Sequence, residues 1–87
     1  MAQIALETLT TTWTEFSDIQ TPEDDVVYWI QNRGANFLIA CESSEEPTGE
    51  EGTFVEPYET LKYVKGSKTL YLRASSGTCT INVASGE

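Results

Sequence analysis

The chain predicts an all-β fold, a small antiparallel β-sandwich or barrel of about seven to eight short strands. Two observations predict it. Apolar, β-branched and aromatic residues gather into short alternating runs, and clusters of Gly, Pro, Asn, Asp and Ser divide those runs at regular intervals. Two strand-turn-strand segments stand out, one over residues 26–43 and one over residues 69–84.

Taken in order, residues 3–19 (QIALETLTTTWTEFSDI) read as one long strand or two short ones. Threonine and tryptophan fit a pleated surface better than a helix, and Leu9, Thr11, Trp13, Glu15 and Ser17 share one parity. A helix over residues 4–9 is the rival. It is weakened by Thr10, Thr11 and Thr12, since β-branched residues lose rotamer freedom in a helix. Residues 20–25, with Pro22 among turn formers, make a loop.

Residues 26–43 (VVYWIQNRGANFLIACES) read as a hairpin that turns at Asn32, Arg33, Gly34, Ala35 and Asn36. In its first arm Val26, Tyr28 and Ile30 face the core, with Val27, Trp29 and Gln31 opposite. In the second arm Phe37, Ile39 and Cys41 form the wholly apolar side and oppose Leu38, Ala40 and Glu42. The other, mixed face is either half covered or meets another chain.

Residues 42–52 (ESSEEPTGEEG) carry five glutamates and no apolar residue, which predicts an exposed, mobile loop. Residues 53–56 are a short strand ended by Pro57, and residues 58–64 another, with Leu61 and Tyr63 sharing a face. Lys65, Gly66, Ser67 and Lys68 form a tight connection, with Gly66 supplying a positive φ. Residues 69–74 are a strand, Ser75, Ser76 and Gly77 reverse the chain, and residues 78–84 point Cys79, Ile81 and Val83 inward and Thr80 and Asn82 outward. Residues 27–40 can be laid without gaps on residues 70–83, Tyr28 on Tyr71 and Gly34 on Gly77, an echo that supports two hairpins.

Residues 1–87 make one domain, and one this small buries only roughly 60% of the surface its unfolded chain exposes. The hydrophobic fraction of 39%, with two Trp, four Tyr and three Phe, is too rich for a disordered acidic chain. Fourteen acidic and five basic side chains without histidine give a formal charge of −9. Such a domain is repelled by phosphate backbones and anionic lipid, so neither nucleic acid nor membrane is an expected partner. The first residues lack the cationic start and apolar run of a signal peptide, which points to a protein made in a cytoplasm. In that compartment Cys41 and Cys79 are expected as free, buried thiols on inward parity.

No cluster of side chains amounts to an active site, and no catalytic, cofactor-binding or metal-binding residue is assigned. Histidine, the commonest general base, is absent, and neither Cys41 nor Cys79 has a flanking Lys or Arg to activate it. Glu23, Asp24 and Asp25 with Asp18, or Glu45 and Glu46 with Glu50 and Glu51, offer oxygen to calcium but lack the alternating spacing and fixed glycine of a calcium loop. Trp13, Trp29, Tyr58 and Tyr63 are available as carbohydrate-stacking platforms, though core or subunit contact explains such aromatics better. Arg33 at a turn tip is exposed and suits either an interface or a solubilising role.

Several stretches are similar to the small virion proteins encoded among the head and tail genes of tailed bacteriophages and prophages. The residues are Trp13-Thr14, the run from Tyr28 to Gly34 (YWIQNRG), Pro57-Tyr58-Glu59, the run from Leu70 to Ala74 (LYLRA) and Ile81-Asn82-Val83. Such proteins often carry Pro-Gly-Glu where this chain has Pro57-Tyr58-Glu59. The resemblance implies a non-enzymatic β-sandwich of the virion, a capsid decoration or cementing protein that binds and stabilises the assembled shell, or a tail or head-completion component. It also implies a homo-oligomer of closed symmetry, a trimer on such lattices. A soluble carbohydrate- or calcium-binding module is the alternative.

Overall fold

The structure, a computed structural model, describes residues 2–49 and 51–86, with the side chains of residues 2 and 3 left out. Among the described residues eight strands form two antiparallel sheets packed as a β-sandwich. They are β1 (Ala2–Leu9), β2 (Thr14–Glu15), β3 (Val27–Asn32), β4 (Leu38–Ser43), β5 (Thr53–Val55), β6 (Thr60–Val64), β7 (Thr69–Ala74) and β8 (Cys79–Ser85). Sheet I has the order β1-β8-β3-β6 and sheet II the order β2-β7-β4-β5. Residues 3–19 thus split into two strands, followed by a 3-10 turn at Phe16–Asp18.

The two expected hairpins are arches. β3 lies in sheet I and β4 in sheet II, so residues 33–37 carry the chain across the core, and residues 75–78 do the same between β7 and β8. Each arch pairs with the other, β3 with β8 and β4 with β7, which locks them together. A turn sequence specifies that the chain reverses. It does not specify which neighbour the returning strand hydrogen-bonds, and burial decides that. In an arch both arms turn an apolar side toward each other across the core, which a flat hairpin of two half-apolar arms cannot do.

Arch formation also inverts the expected parity of β4. Leu38 and Ala40 point inward with Leu70, Leu72 and Ala74 of β7, while Phe37, Ile39 and Cys41 take the outer side. Across the core, sheet I contributes Tyr28 and Ile30 of β3 and Cys79, Ile81 and Val83 of β8, the parity that the alternation predicts. Phe16, an unanticipated core residue, packs edge-on against Tyr28 and Tyr63 with ring centroids 5.4 Å from each. In the gapless echo Tyr28 falls on Tyr71. Tyr28 belongs to the core while Tyr71 lies outside it, so the echo is not a structural equivalence.

The acidic loop is more tied down than its composition predicts. Pro47 is buried, Arg73 donates from Nη1 to the Gly49 carbonyl at 2.9 Å, and the Arg73 guanidinium lies 5.6 Å from the Trp13 ring centroid. Ile39 sits between Arg73 and Phe54 on the outer side of sheet II. That cover buries Ile39 completely although it is outside the core cluster. Glu45, Glu46 and Glu51 stay exposed. Gly66 does not take the positive φ expected of it, whereas Gly77 does at 57°. Gly34 is required for a different reason. A Cβ there would stand 2.9 Å from the Thr80 nitrogen and 3.2 Å from Cys79 Cα, so only glycine lets the two arches approach this closely.

Candidate functional site

The strand ends sort the surface into two unlike poles. At one pole lie residues 10–13, the arch of residues 33–37, residues 56–59 and the arch of residues 75–78. This pole is rich in hydroxyls and amides, with Arg33, Glu56 and Glu59 as its charges. Residues 16–26, 44–52 and 65–68 lie at the other pole. There Asp18, Glu23, Asp24, Asp25, Glu45, Glu46 and Glu51 concentrate the negative charge. Among the described residues a single ion pair, Lys65 Nζ to Asp24 Oδ1 at 3.4 Å, offsets a little of it.

Asn32 builds the neutral pole. It is fully buried, and all four of its side-chain hydrogen-bonding positions are used. Nδ2 donates to the carbonyls of Asn36 and Val55, each at 2.9 Å. Oδ1 accepts from the Gly34 N–H and the Cys79 thiol, each at 3.0 Å. One amide therefore ties its own arch to β5 in sheet II and to β8 in sheet I. Burial pushes the Cys79 thiol above its ordinary value, against a smaller opposing effect of the Gly34 N–H. The thiol is accordingly a neutral donor and no nucleophile.

The backbone of Asn32 fixes a second turn. Its N–H donates to the Glu59 carbonyl at 3.0 Å, and its carbonyl accepts from the Tyr58 N–H at 2.6 Å. The Glu59 N–H in turn donates to the Glu56 carbonyl at 3.0 Å, closing a β-turn with Pro57 and Tyr58 at its centre. Tyr58 has φ 68°, the left-handed region that a type II turn demands of its third residue. A bulky aromatic there costs roughly 1–2 kcal/mol relative to glycine. Tyr58 nonetheless stays 71% exposed, so packing within the chain does not offset that cost.

The outer face of sheet I continues from this pole, linked by the Gln31 side-chain amide donating to the Tyr58 carbonyl at 3.2 Å. Register places Leu6, Asn82, Gln31 and Thr60 in one row across its four strands. The next row holds Ala84, Trp29 and Lys62. Trp29 donates from Nε1 to the Gly86 carbonyl at 2.9 Å, and Lys62 Nζ lies 5.9 Å from its ring centroid. A shallow groove of about 410 Å³ runs between Trp29, Gln31, Thr60, Asn82 and Ala84. Among the described residues, no carboxylate occupies an outward strand position on this face.

The remaining sequence candidates disperse. Tyr63 is in the core, Trp13 is half-buried beside Arg73 with its Nε1 buried and unpartnered, Trp29 lies on sheet I and Tyr58 at the neutral pole. The four aromatics share no platform. Among the described residues no three acidic, Cys or His side chains converge to hold a metal. Cys41 is half-buried on the outer side of β4, against the inward parity expected of it, and both it and Cys79 are free thiols. Among the described residues no helix is long and apolar enough to cross a membrane. Comparison with protein-family models, curated proteins and solved structures gives no match.

Proposed function

We propose that this chain is a non-enzymatic structural protein of a phage virion, a capsid decoration or cementing protein made in the host cytoplasm and bound to the assembled shell. The observation that supports this reading best is Tyr58. A tyrosine held in a left-handed turn and left 71% exposed brings the fold no benefit of its own, and strain of this kind collects at binding sites. Arg33 follows Asn32, which bonds Tyr58, and tyrosine and arginine are the side chains that most often dominate protein interfaces. Docked by its neutral pole, the protein turns its acidic pole to solvent. A protein that binds only the assembled shell stabilises that shell by mass action.

The test is co-sedimentation of the purified chain with empty shells and, separately, with tails. Replacing Tyr58 by Gly relieves the turn, so the variant is expected to gain about 1 kcal/mol of stability and to lose particle binding. Stability rising while binding falls is a signature that a purely structural tyrosine does not give. Binding to tails alone moves the assignment to a tail or head-completion component. Undiminished binding by both Tyr58→Gly and Arg33→Ala refutes the neutral pole as the contact.

A further inference from the structure

We infer that the outer face of sheet I is a two-fold interface with a second copy of this chain. Charge selects the face. Two copies at −9 repel each other, and this face has no carboxylate at any outward strand position among the described residues. The acidic pole lies beyond the strand ends, so pairing through sheet I avoids opposing its carboxylates directly.

Register makes the face self-complementary. A two-fold axis running along the strands between β8 and β3 lays β8 of one copy over β3 of the other and β1 over β6. The row Leu6, Asn82, Gln31, Thr60 then meets itself reversed. The Asn82 amide faces the Gln31 amide of the second copy, twice, and each amide both donates and accepts. Leu6, 62% exposed within one copy, meets the small Thr60 at the mouth of the groove beside Trp29. In the next row the large Trp29 comes over the small Ala84. An axis across the strands would instead set Leu6 on Leu6 and leave the groove unfilled.

Four strands at roughly 4.8 Å spacing and six residues at roughly 3.3 Å rise present about 400 Å² of flat footprint per copy. That lies at the small end of specific interfaces, so association is expected to be weak and concentration-dependent. The axis along the strands also points both neutral poles the same way. If the neutral pole is the docking end proposed above, the pair presents two Tyr58 anchors to one array and gains avidity. The pairing itself does not depend on that reading.

Light scattering and sedimentation of the full chain from about 10 μM to about 1 mM test it. The expected result is a shift from the 9.6 kDa chain to a particle of twice that mass. Leu6→Asp and Asn82→Arg, both at outward positions, are each expected to weaken pairing at least about tenfold without changing the circular dichroism spectrum. Leu6 and Thr60 stand on opposite edges of the sheet, about 14 Å apart. The double variant Leu6→Asp, Thr60→Lys therefore forms its new ion pairs only between copies, and it is expected to pair again. A monomer throughout, a trimer, or a dimer indifferent to both single substitutions overturns the inference. Tyr58→Gly is expected to leave pairing intact, so loss of particle binding by that variant and loss of pairing report separately.

Discussion

Removing the Asn32 side chain is expected to cost about 3–5 kcal/mol, a large part of what holds this fold together. The Asn32→Ala variant loses four hydrogen bonds at once, from Nδ2 to Asn36 and Val55 and to Oδ1 from Gly34 and Cys79. Each of the three amide bonds contributes about 1 kcal/mol net, and the thiol bond less. With the cavity that the truncated amide leaves, these losses come to about 3–5 kcal/mol. At 0.05–0.15 kcal/mol per residue, a chain of 87 has roughly 4–13 kcal/mol to lose. The assay is urea unfolding followed by tryptophan fluorescence, with thermal melts alongside. A Tm lowered by more than about 12 °C is expected.

Asn32→Asp sharpens the test. Aspartate keeps the volume and the acceptor but sets a carboxylate where two donors met the Asn36 and Val55 carbonyls. Its pKa in the fold is therefore raised above the unfolded value, so its deficit is smallest at low pH, where the acid is protonated and donates one bond, and grows as pH rises through the folded pKa. A loss below about 1 kcal/mol for Asn32→Ala, or an Asn32→Asp variant whose pH profile parallels that of the parent, would refute the role given to this amide.

The other expectations concern cover, titration and salt. Ile39→Ala, on the outer side of sheet II yet fully buried, is expected to cost about 2–5 kcal/mol in a urea titration, whereas Glu45→Gln with Glu46→Gln stays within about 0.5 kcal/mol. Burial raises the Cys79 thiol, and burial with the charge of Glu42 raises the Tyr63 phenol. Burial with the charges of Glu15, Glu46 and Glu45 raises Tyr71. All three are acids that the fold keeps protonated. Their contribution is complete below the ordinary thiol and phenol values of 9.0 and 10.0 and is lost as pH rises through the raised ones, so melts taken toward alkaline pH should fall. An alkaline Tm as high as the neutral one would contradict that.

Legibility in the sequence tracked how strictly each segment alternates. β8 reads correctly because Cys79, Ile81 and Val83 are separated by Thr80 and Asn82, and only one parity is apolar. β4 does not, because Leu38, Ile39, Ala40 and Cys41 are apolar on both parities, and only tertiary context shows which side meets the core. Phe16 was invisible for a related reason. It sits among Thr14, Glu15, Ser17 and Asp18 in a short 3-10 turn that has no period to detect. Half of the sheet I face was legible, since Val27, Trp29 and Gln31 stand out as a side needing cover. Its partners on β6 and β8 required the strand order. Glu56-Pro57-Tyr58-Glu59 marks a turn through Pro57, but proline at the second position suits type I and type II alike, so the positive φ of Tyr58 was not legible.

The separation of charge from the proposed contacts gives a last discriminating expectation. Most carboxylates cluster at one pole, whereas the neutral pole sets only Glu56 and Glu59 beside Arg33 and, among the described residues, the sheet I face has none at an outward strand position, so most of the negative charge opposes association through those surfaces at long range. Salt screens long-range repulsion, with a Debye length of about 8 Å at physiological strength and about 3 Å at 1 M. Pairing through sheet I and docking through the neutral pole should therefore tighten as salt rises. A partner that recognised the acidic pole through basic side chains would respond oppositely, because its attraction is what salt screens. Sedimentation of the chain, alone and with particles, across a salt series reads that sign directly. Binding that weakens with salt would transfer the contact to residues 16–26, 44–52 and 65–68, and the exposed Tyr58 would then stand without a role.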